Sequence, residues 1–391
     1  MADNTKAQDN NTKPIIQMDM LFPLEPAPEE SPLKNGVIVK DYFKNQFHQD
    51  IAEFQTFGNR PTGFADLDKM QHSLYPGLYV LGAVSSLGKT TFIHQMADNL
   101  AMNGEHVLYF SLEQTEFELT SKSLSRTLYS MRSMQNDPSV PLYTSIELRR
   151  GAALNDPKVD AAIDLYSNNV DDRLTIIPTL FDIDVEGIIW TISDYIDKHD
   201  VKPIVIIDYL QIVNPSVIGK RPLEGRAAID HIVHALKCYQ AKNKLTIMLI
   251  SSLNRQNYMT PIDFESFKES GSIEYSVDVL LGLELSIMSS NDIFAKEGHI
   301  KEKREAVTTA KAASPRQVSL VCLKNRFGIS NYKVNFSYYP AYDIFLSSST
   351  GPNAVRTNNN SLDIDKTGDV TNAVIEAAET DASQDKTPEE K

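Results

Sequence analysis

The segment Ala83-Val84-Ser85-Ser86-Leu87-Gly88-Lys89-Thr90-Thr91 decides the fold of this chain. It follows an apolar run over Leu78–Ala83, which predicts a strand, and it leads into an amphipathic segment over Thr90–Asn103, which predicts a helix. A Gly-Lys-Thr loop in this setting wraps phosphates with its backbone N–H groups, and the helix N-terminus adds partial positive charge. The first glycine of the usual pattern is replaced by Ala83, with Gly82 one residue early.

The side chains of this loop predict a nucleotide site. In such loops Lys89 reaches the β- and γ-phosphates, and the hydroxyl of Thr90 ligates Mg²⁺. We therefore expect a nucleoside triphosphate and Mg²⁺ to bind here. The predicted nucleotide-binding residues of the loop are Ser85, Ser86, Leu87, Gly88, Lys89, Thr90 and Thr91.

Beyond the loop, short apolar segments alternate with amphipathic ones. Near-continuous apolar strands separated by helices predict an α/β fold, a mainly parallel sheet with helices on both faces. Ligands of such sheets bind at the carboxyl ends of the strands. The predicted strands are Leu78–Ala83, Val107–Phe110, Leu174–Ile177, Ile204–Asp208, Leu245–Ile250 and Val279–Leu285, and the predicted helices are Thr90–Asn103, a segment starting at Thr115, Val185–Ile196 and Ala227–Ala241.

Two carboxylates follow predicted strands. Asp208 ends the apolar run Ile204–Asp208, where a carboxylate that supports Mg²⁺ belongs in a phosphate-loop enzyme, although such an Asp is often only a turn or cap residue. Glu113 comes directly after the strand at Val107–Phe110 and is placed to polarise an attacking water, which predicts a hydrolase. The alternative for Glu113 is a solvated acid in the first turn of a helix.

Composition excludes several classes of protein. The 391 residues are 41% hydrophobic, and no window approaches the roughly 18 apolar residues of a membrane span. The N-terminus lacks the apolar stretch of a signal peptide. The two cysteines, Cys238 and Cys322, lie far apart, which excludes a disulfide scaffold and a zinc module and suits a cytoplasmic protein. A formal charge of −14 excludes attraction of the whole molecule to nucleic acid or to an acidic membrane.

The negative charge is concentrated at the two ends. Residues 1–35 and residues 347–391 are acidic, rich in Asn, Thr, Pro and Asp and poor in large apolar side chains, so we expect disordered tails. Residues 36–58 are expected to form a linker helix, from Asp41 to about Phe54, and residues 59–346 an ATPase domain. The apolar side of the linker helix either packs on its own domain or docks on a neighbouring subunit.

Seven strings in order resemble the C-terminal ATPase domain of the DnaB-type replicative DNA helicases, which has a RecA-like fold. The resemblance runs from about Arg60 to Phe345. Its strings are Thr62-Gly63-Phe64 with Leu67-Asp68, the loop from Ser85 to Thr91, Phe110-Ser111-Leu112-Glu113, Ile207-Asp208-Tyr209-Leu210-Gln211, Ser251-Ser252-Leu253-Asn254-Arg255, Lys268-Glu269-Ser270-Gly271-Ser272-Ile273-Glu274 and Lys324-Asn325-Arg326-Phe327-Gly328.

This resemblance implies a hexameric ring of identical subunits that encircles single-stranded DNA and moves along it 5′ to 3′ with ATP. It implies that Asp208 supports the metal, that Glu113 is the general base and that Arg126 contacts the nucleotide. It also implies that Lys324 and Arg326 reach into the ATP site of the neighbouring subunit, where a cation supplied in trans accelerates hydrolysis by roughly 10³–10⁵.

For DNA, the resemblance assigns Lys268, Glu269 and Gly271 to a loop that holds the phosphate backbone in the central channel. Gly271 permits close approach of the backbone, and Lys268 supplies charge. Residues 296–326 are also rich in lysine and arginine, and they form either a second channel loop or a mobile surface insertion.

The chain departs from the family pattern at three places. Ser252 stands where the family usually has Gln, a side chain that senses the γ-phosphate, so we expect Ser252 at the nucleotide while its coupling to DNA is open. Lys268 replaces the usual arginine and loses its fork geometry. The family's N-terminal collar domain, which meets primase, is expected to be absent, so primase and a helicase loader are open as partners.

The function predicted from the sequence is an ATP-dependent DNA helicase. One alternative is a RecA-like motor whose ATPase responds to single-stranded DNA without unwinding. The other is a degenerate ring subunit that does not hydrolyse ATP, for which Ser252 is the best support.

Overall fold

The structure, a computed structural model, describes residues 36–347 except for 153, 180–182, 215–216, 219–220, 254–258, 268–270 and 297. The two predicted tails lie outside the described residues, apart from Ser347. The chain divides into two compact units, Met1–Thr56 and Phe57–Lys391.

The described part of the first unit contains two helices, α1 (Val39–Asn45) and α2 (Phe47–Thr56). The prediction of one helix over Asp41–Phe54 is wrong at Gln46, whose φ of −127° and ψ of −36° leave helical geometry. The rings of Phe43 and Phe47 pack edge to face across this break, 4.9 Å apart. The hydroxyl of Tyr42 donates to Asp50, so side-chain contacts on both sides stabilise the bend.

The second unit alternates helices and strands. Its described helices are α3 (Ala65–Gln71), α4 (Lys89–Met102), α5 (Glu116–Gln135), α6 (Ser145–Arg149), α7 (Pro157–Val170), α8 (Val185–His199), α9 (Gly225–Asn243), α10 (Gly271–Ser276), α11 (Ile287–Ser290) and α12 (Ile300–Ala312). Its described strands are β1 (Gly77–Ala83), β2 (Val107–Ser111), β3 (Leu174–Pro178), β4 (Ile204–Asp208), β5 (Val217–Ile218), β6 (Arg221–Pro222), β7 (Thr246–Ser252), β8 (Val279–Leu285), β9 (Arg316–Asn325), β10 (Lys333–Tyr339) and β11 (Ile344–Ser347).

The described residues form one nine-stranded sheet with the order β11-β10-β9-β8-β1-β7-β4-β2-β3, and β5 and β6 pair separately. From β8 to β3 neighbouring strands run parallel, whereas β9, β10 and β11 form an antiparallel extension at one side. In β1 the last residue, Ala83, pairs with Ser252 of β7 and with Leu283 of β8. The carboxyl ends of the parallel strands therefore meet along one edge, which we call the carboxyl edge.

Helices cover both faces of the sheet, as predicted. Alternate residues of β1 enter two separate hydrophobic clusters, because successive side chains of a strand point to opposite faces. Tyr79 and Leu81 pack with α4, whereas Leu78 and Val80 pack with α8 and α9. β1 is buried along its whole length, so the loop that follows it begins from a rigid support.

The predicted strands and helices match observed elements within a few residues. Thr115 caps α5 with Glu118 in a capping box, as expected from the Thr-x-x-Glu spacing. The prediction missed α7, although Asp156 caps this helix and Pro157 occupies its first turn. Residues 296–326 are mostly helix α12 and strand β9 instead of a channel loop or a mobile insertion, since apolar residues of α12 pack on the core.

Gly82 has a packing role in β1. A Cβ atom at this position would overlap the ring of Phe267 and lie 2.6 Å from Cδ2 of Leu253. The glycine therefore lets a side chain from the residues just before the predicted DNA loop pack against β1, beside the phosphate loop. It does not serve the turn itself, because it is the sixth residue of a regular strand.

Gly82→Ala is expected to lower the free energy of unfolding by about 1–3 kcal/mol, because the new methyl group overpacks the core. Urea unfolding followed by circular dichroism measures this change. Gly328→Ala is the matched control, since a Cβ there would meet only Nδ2 of Asn325 at 3.6 Å. Equal stability of the two variants would contradict the packing role of Gly82.

Candidate active site

The loop between β1 and α4 has the backbone of a phosphate-binding loop. Gly88 caps α4 at φ 90° and ψ 27°, a left-handed conformation that glycine adopts without steric cost. Ser86 also has a positive φ, of 68°. The first turn of α4 carries no acidic residue, so the positive end of the helix dipole is available to an anion.

Lys89 begins α4 and lies among neutral partners. Its Nζ is 3.4 Å from Oγ of Ser252 and 4.9 Å from the centroid of the Tyr209 ring. Among the described residues it forms no ion pair within 4.0 Å, so its charge is available to a phosphate. Ser252 is held in place by Gln211, whose Oε1 accepts from the Ser252 N–H at 3.2 Å while its Nε2 donates to Ser251. Gln211 is therefore a site residue to which the sequence assigned no role.

Asp208 ends β4 beside the loop and is only 3% exposed. Burial raises the pKa of this carboxyl, whereas the hydroxyls of Tyr109 and Thr90 and the charge of Lys89 oppose the rise. Its Oδ2 accepts a hydrogen bond from the Tyr109 hydroxyl at 2.9 Å. Its Oδ1 has no hydrogen-bond partner among the described residues.

These oxygens fit a magnesium ion. Mg²⁺ prefers hard oxygen ligands and keeps several waters, so one hydroxyl and one nearby carboxylate are a sufficient protein contribution. Thr90 and Asp208 supply such a set, and the unpartnered Oδ1 of Asp208 is the kind of buried acceptor that a metal-bound water satisfies. Thr90 and Asp208 would hold the ion.

Glu113 lies in the turn between β2 and α5 and is exposed. The turn is fixed to the end of β4, because the Leu112 N–H donates to the Asp208 carbonyl at 2.9 Å. The negative charge of Glu113 contributes to the raised pKa values of Asp208 and Tyr209, so the three groups interact electrostatically. An exposed carboxylate at this place is accessible to a water beside the phosphates.

Helix α5 brings a different cation to the loop from the one that was predicted. Arg126 is 6% exposed, and its guanidinium donates to Asp98 and to the Asp343 carbonyl, each at 2.6 Å. Lys122, one turn earlier, donates to Oγ1 of Thr91 at 3.1 Å. The contact of Arg126 with the nucleotide stays a prediction, but its hydrogen bonds are made to protein, and Lys122 is the α5 cation that contacts the loop.

Arg316 also contacts the loop, although the sequence placed it only in a basic segment. Its Nη1 donates to the Ser86 carbonyl at 2.7 Å, and its Nε donates to the Lys311 carbonyl at the end of α12 at 2.9 Å. The guanidinium lies over the ring of Tyr338. Arg316 thus connects α12 to the outer side of the phosphate loop.

Lys324 and Arg326 lie far from the phosphate loop of their own chain. Asn325, between them, pairs with Val279 at the start of β8, and Val279 pairs with Tyr79 near the start of β1. The loop follows Ala83, four residues farther along β1, so the two positions are separated by about 13 Å along the strand direction alone. The pair therefore lies at the amino edge of the sheet, opposite the carboxyl edge.

Both side chains of this pair have partners at the amino edge. Lys324 Nζ donates to the Glu274 carbonyl of α10 at 2.7 Å, and Arg326 contacts Asp278 at 3.1 Å while remaining about half exposed. Lys268 and Glu269 lie outside the described residues, and Gly271 is the first residue of α10. Their role in DNA binding stays a prediction.

One family model, described as the DnaB-like helicase C terminal domain, matches residues 60–345. The replicative DNA helicase DnaB of Buchnera aphidicola subsp. Baizongia pistaciae is 29% identical over 234 residues, covering 56% of this chain and 45% of the relative. That of Haemophilus influenzae is 28% identical with the same coverage. The chain spans about half the length of these relatives.

Solved structures share the fold. A solved helicase ATPase domain matches with a TM-score of 0.61 and 19% identity, covering 80% of this chain and 99% of that one. The structure of a DnaB-like replicative helicase, described together with its interactions with primase, matches with a TM-score of 0.59 and 19% identity, covering 80% and 67%. These matches confirm the predicted RecA-like fold. Within the described residues, no helix is long and apolar enough to cross a membrane.

The two cations of α5 are expected to respond differently to substitution. Arg126→Ala leaves the buried carboxylate of Asp98 without its ion-pair partner and should lower the free energy of unfolding by about 3 kcal/mol. Lys122→Ala should cost about 1 kcal/mol or less and should weaken binding of a fluorescent ATP analogue about tenfold, the loss expected for a charge-assisted contact. Urea unfolding and fluorescence titration measure both quantities. A stable Arg126→Ala variant that fails to bind nucleotide would return the nucleotide contact to Arg126.

Proposed function

This chain belongs to the DnaB-like helicase C-terminal domain family, and from that premise we propose that it is an ATP-driven DNA helicase. In this proposal identical subunits form a hexameric ring around single-stranded DNA. ATP hydrolysis moves the ring along that strand, and the second strand of a duplex is displaced during replication. The relatives are named replicative DNA helicases, which supports this function for a chain that shares their C-terminal part.

The carboxyl edge has the groups that hydrolysis of ATP requires. Lys89 neutralises charge on the β- and γ-phosphates, and Glu113 takes a proton from the attacking water. Mg²⁺ held by Thr90 and Asp208 would supply further positive charge at the phosphates. The neutral contacts of Lys89 support this function, because the ammonium is not committed to a described carboxylate of its own chain within ion-pair distance.

The location of Lys324 and Arg326 is the observation that carries the ring proposal. The pair lies at the amino edge, so it cannot complete the ATP site of its own chain without unfolding the sheet. A neighbouring subunit related by rotation presents its carboxyl edge to this amino edge, and a cation then enters each ATP site in trans. A closed ring supplies every site with such a pair.

The DNA proposal depends on the same assembly. Six subunits would bring the predicted loop at Lys268, Glu269 and Gly271 together around one axis, so an acidic monomer can still bind a phosphate backbone locally. Contacts to the backbone alone should give salt-sensitive binding with little sequence preference. Primase and a helicase loader stay predictions; one of the similar solved structures concerns a helicase and its interactions with primase.

Mass measurement and two activity assays test the proposed function. We expect a mass near six times 43.8 kDa, ATPase activity stimulated by single-stranded oligonucleotide, and unwinding of a forked duplex. Stimulation without strand separation would favour the RecA-like motor, and a ring without hydrolysis would favour the degenerate subunit. A fully active monomer that ignores DNA would contradict the proposal.

Glu113→Gln should bind ATP normally and lose roughly 10²-fold or more of its turnover, because the amide cannot accept the proton of the attacking water. Binding of a fluorescent ATP analogue and release of phosphate measure the two steps. Glu116→Gln is the matched control, since Glu116 is an exposed acid in the first turn of the same helix. Normal turnover in Glu113→Gln would remove this residue from the mechanism.

Subunits with Arg326→Ala should regain activity when they are mixed with Lys89→Ala subunits. Each variant alone lacks one half of every shared site, whereas a mixed ring contains some sites with Lys89 on one side and Arg326 on the other. Phosphate release across a series of mixing ratios measures the recovery.

The control for this experiment mixes Arg326→Ala subunits with subunits that carry both substitutions, which cannot form an intact site. Recovery in that control, or its absence at every ratio of the two single variants, would argue against a cation supplied in trans.

A further inference from the structure

Tyr109 is a tyrosine in the middle of a buried strand. β2 reads Val107-Leu108-Tyr109-Phe110-Ser111, and all five residues are buried. The Tyr109 side chain faces the same side of the sheet as α4 and is fully buried. Burying a phenol hydroxyl costs free energy unless it is hydrogen-bonded, and phenylalanine would fill the space without that cost. The hydroxyl is therefore explained by its partner.

That partner is Asp208. The hydroxyl donates to Oδ2 of this carboxylate at 2.9 Å, across the neighbouring strands β2 and β4. A hydrogen bond to the ionised form of a carboxylate favours that form, so Tyr109 opposes the effect of burial on Asp208. It also fixes the rotation of the carboxylate. One oxygen is occupied, and the other, Oδ1, has no hydrogen-bond partner in the described part of the chain.

The Tyr109 ring is itself held against the helix that carries Thr90. It packs edge to face on the imidazole of His94, 5.5 Å away, and His94 belongs to α4. The imidazole is fixed by contacts of its Nε2 with the Leu119 carbonyl and the Ser123 hydroxyl of α5. Tyr109 thus joins three elements that carry site residues: α4 with Thr90, β4 with Asp208, and its own strand, which leads to Glu113.

We propose that Tyr109 is a positioning residue for the Mg²⁺ site, holding Asp208 so that its free Oδ1 accepts from the water shell of the ion beside Thr90. This inference rests on the proposed function, since it assumes a site for Mg²⁺ and a nucleotide. Tyr109 touches neither the ion nor the nucleotide and acts through Asp208. Without the hydroxyl, the carboxylate can rotate and its negative charge is less well stabilised in the buried site.

Tyr109→Phe in the full chain tests the proposal. A fluorescent ATP analogue is titrated in EDTA and then, at fixed nucleotide, with MgCl₂. We expect the half-saturating concentration of Mg²⁺ to rise about tenfold, the loss typical of removing an outer-shell partner of a metal ligand. Affinity for the analogue in EDTA should stay within about twofold, because Tyr109 does not contact the phosphate loop. This pattern differs from a general loss of folding, which would weaken both.

Tyr79→Phe is the matched control. Tyr79 is likewise a fully buried strand tyrosine with one hydrogen bond, to the Tyr75 carbonyl at 3.0 Å, and its hydroxyl does not contact Asp208. Its Mg²⁺ dependence should equal that of the unmodified chain. In an Asp208→Asn background, Tyr109→Phe should shift the Mg²⁺ dependence no further, because the two residues act as one unit.

The outcomes separate this inference from the proposed function. If the unmodified chain requires Mg²⁺ and Tyr109→Phe behaves as Tyr79→Phe does, the positioning role is wrong and the ATPase proposal stands. An equal additional shift in the Asp208→Asn background would also overturn the positioning role. If nucleotide binding by the unmodified chain ignores Mg²⁺, the metal site of the proposed function and this inference fail together.

Discussion

The parallel alignment of β1 between β7 and β8 is the constraint on which the candidate site depends. Ala83 pairs with Ser252 on one side and with Leu283 on the other, and Ser111 pairs with Asp208 two strands away. Parallel strands in register end together, so each contributes its next side chain to the same edge. Lys89 and Ser252, 163 residues apart in the chain, thereby come within 3.4 Å.

The antiparallel extension has the opposite consequence. β9 reverses direction beside β8, so its last residues return to the amino edge, where Asp278 holds them. This buried carboxylate accepts from the Leu78 N–H and forms ion pairs with Lys237 and Arg326. The same contacts fix the start of β1 and the position of the predicted trans cation. Sheet topology alone thus separates the two halves of the proposed ATP site, which a second subunit would join.

Polar groups in the interior explain where local interpretation of the sequence was insufficient. Lys122 and Arg126 lie one turn apart on α5, and both are cations that a helix could present to a nucleotide. The difference arises from their partners: Asp98 on α4 binds Arg126 in the interior, whereas Lys122 reaches Thr91 at the loop. The spacing of residues on one helix does not reveal which carboxylate another helix places opposite.

The sequence by itself determined the α/β class, the phosphate loop, and the placement of Asp208 and Glu113 after buried strands. Those features follow from local periodicity and from the rule that parallel strands end together. Only the tertiary structure decided that Arg316 binds the Ser86 carbonyl, 230 residues away, and that Tyr109 binds Asp208. Such contacts depend on strand order and side-chain packing between distant segments, and no local pattern encodes which distant residues meet. The bend at Gln46 and the course of α12 and β9 were missed for the same reason, since packing overrides weak local preferences.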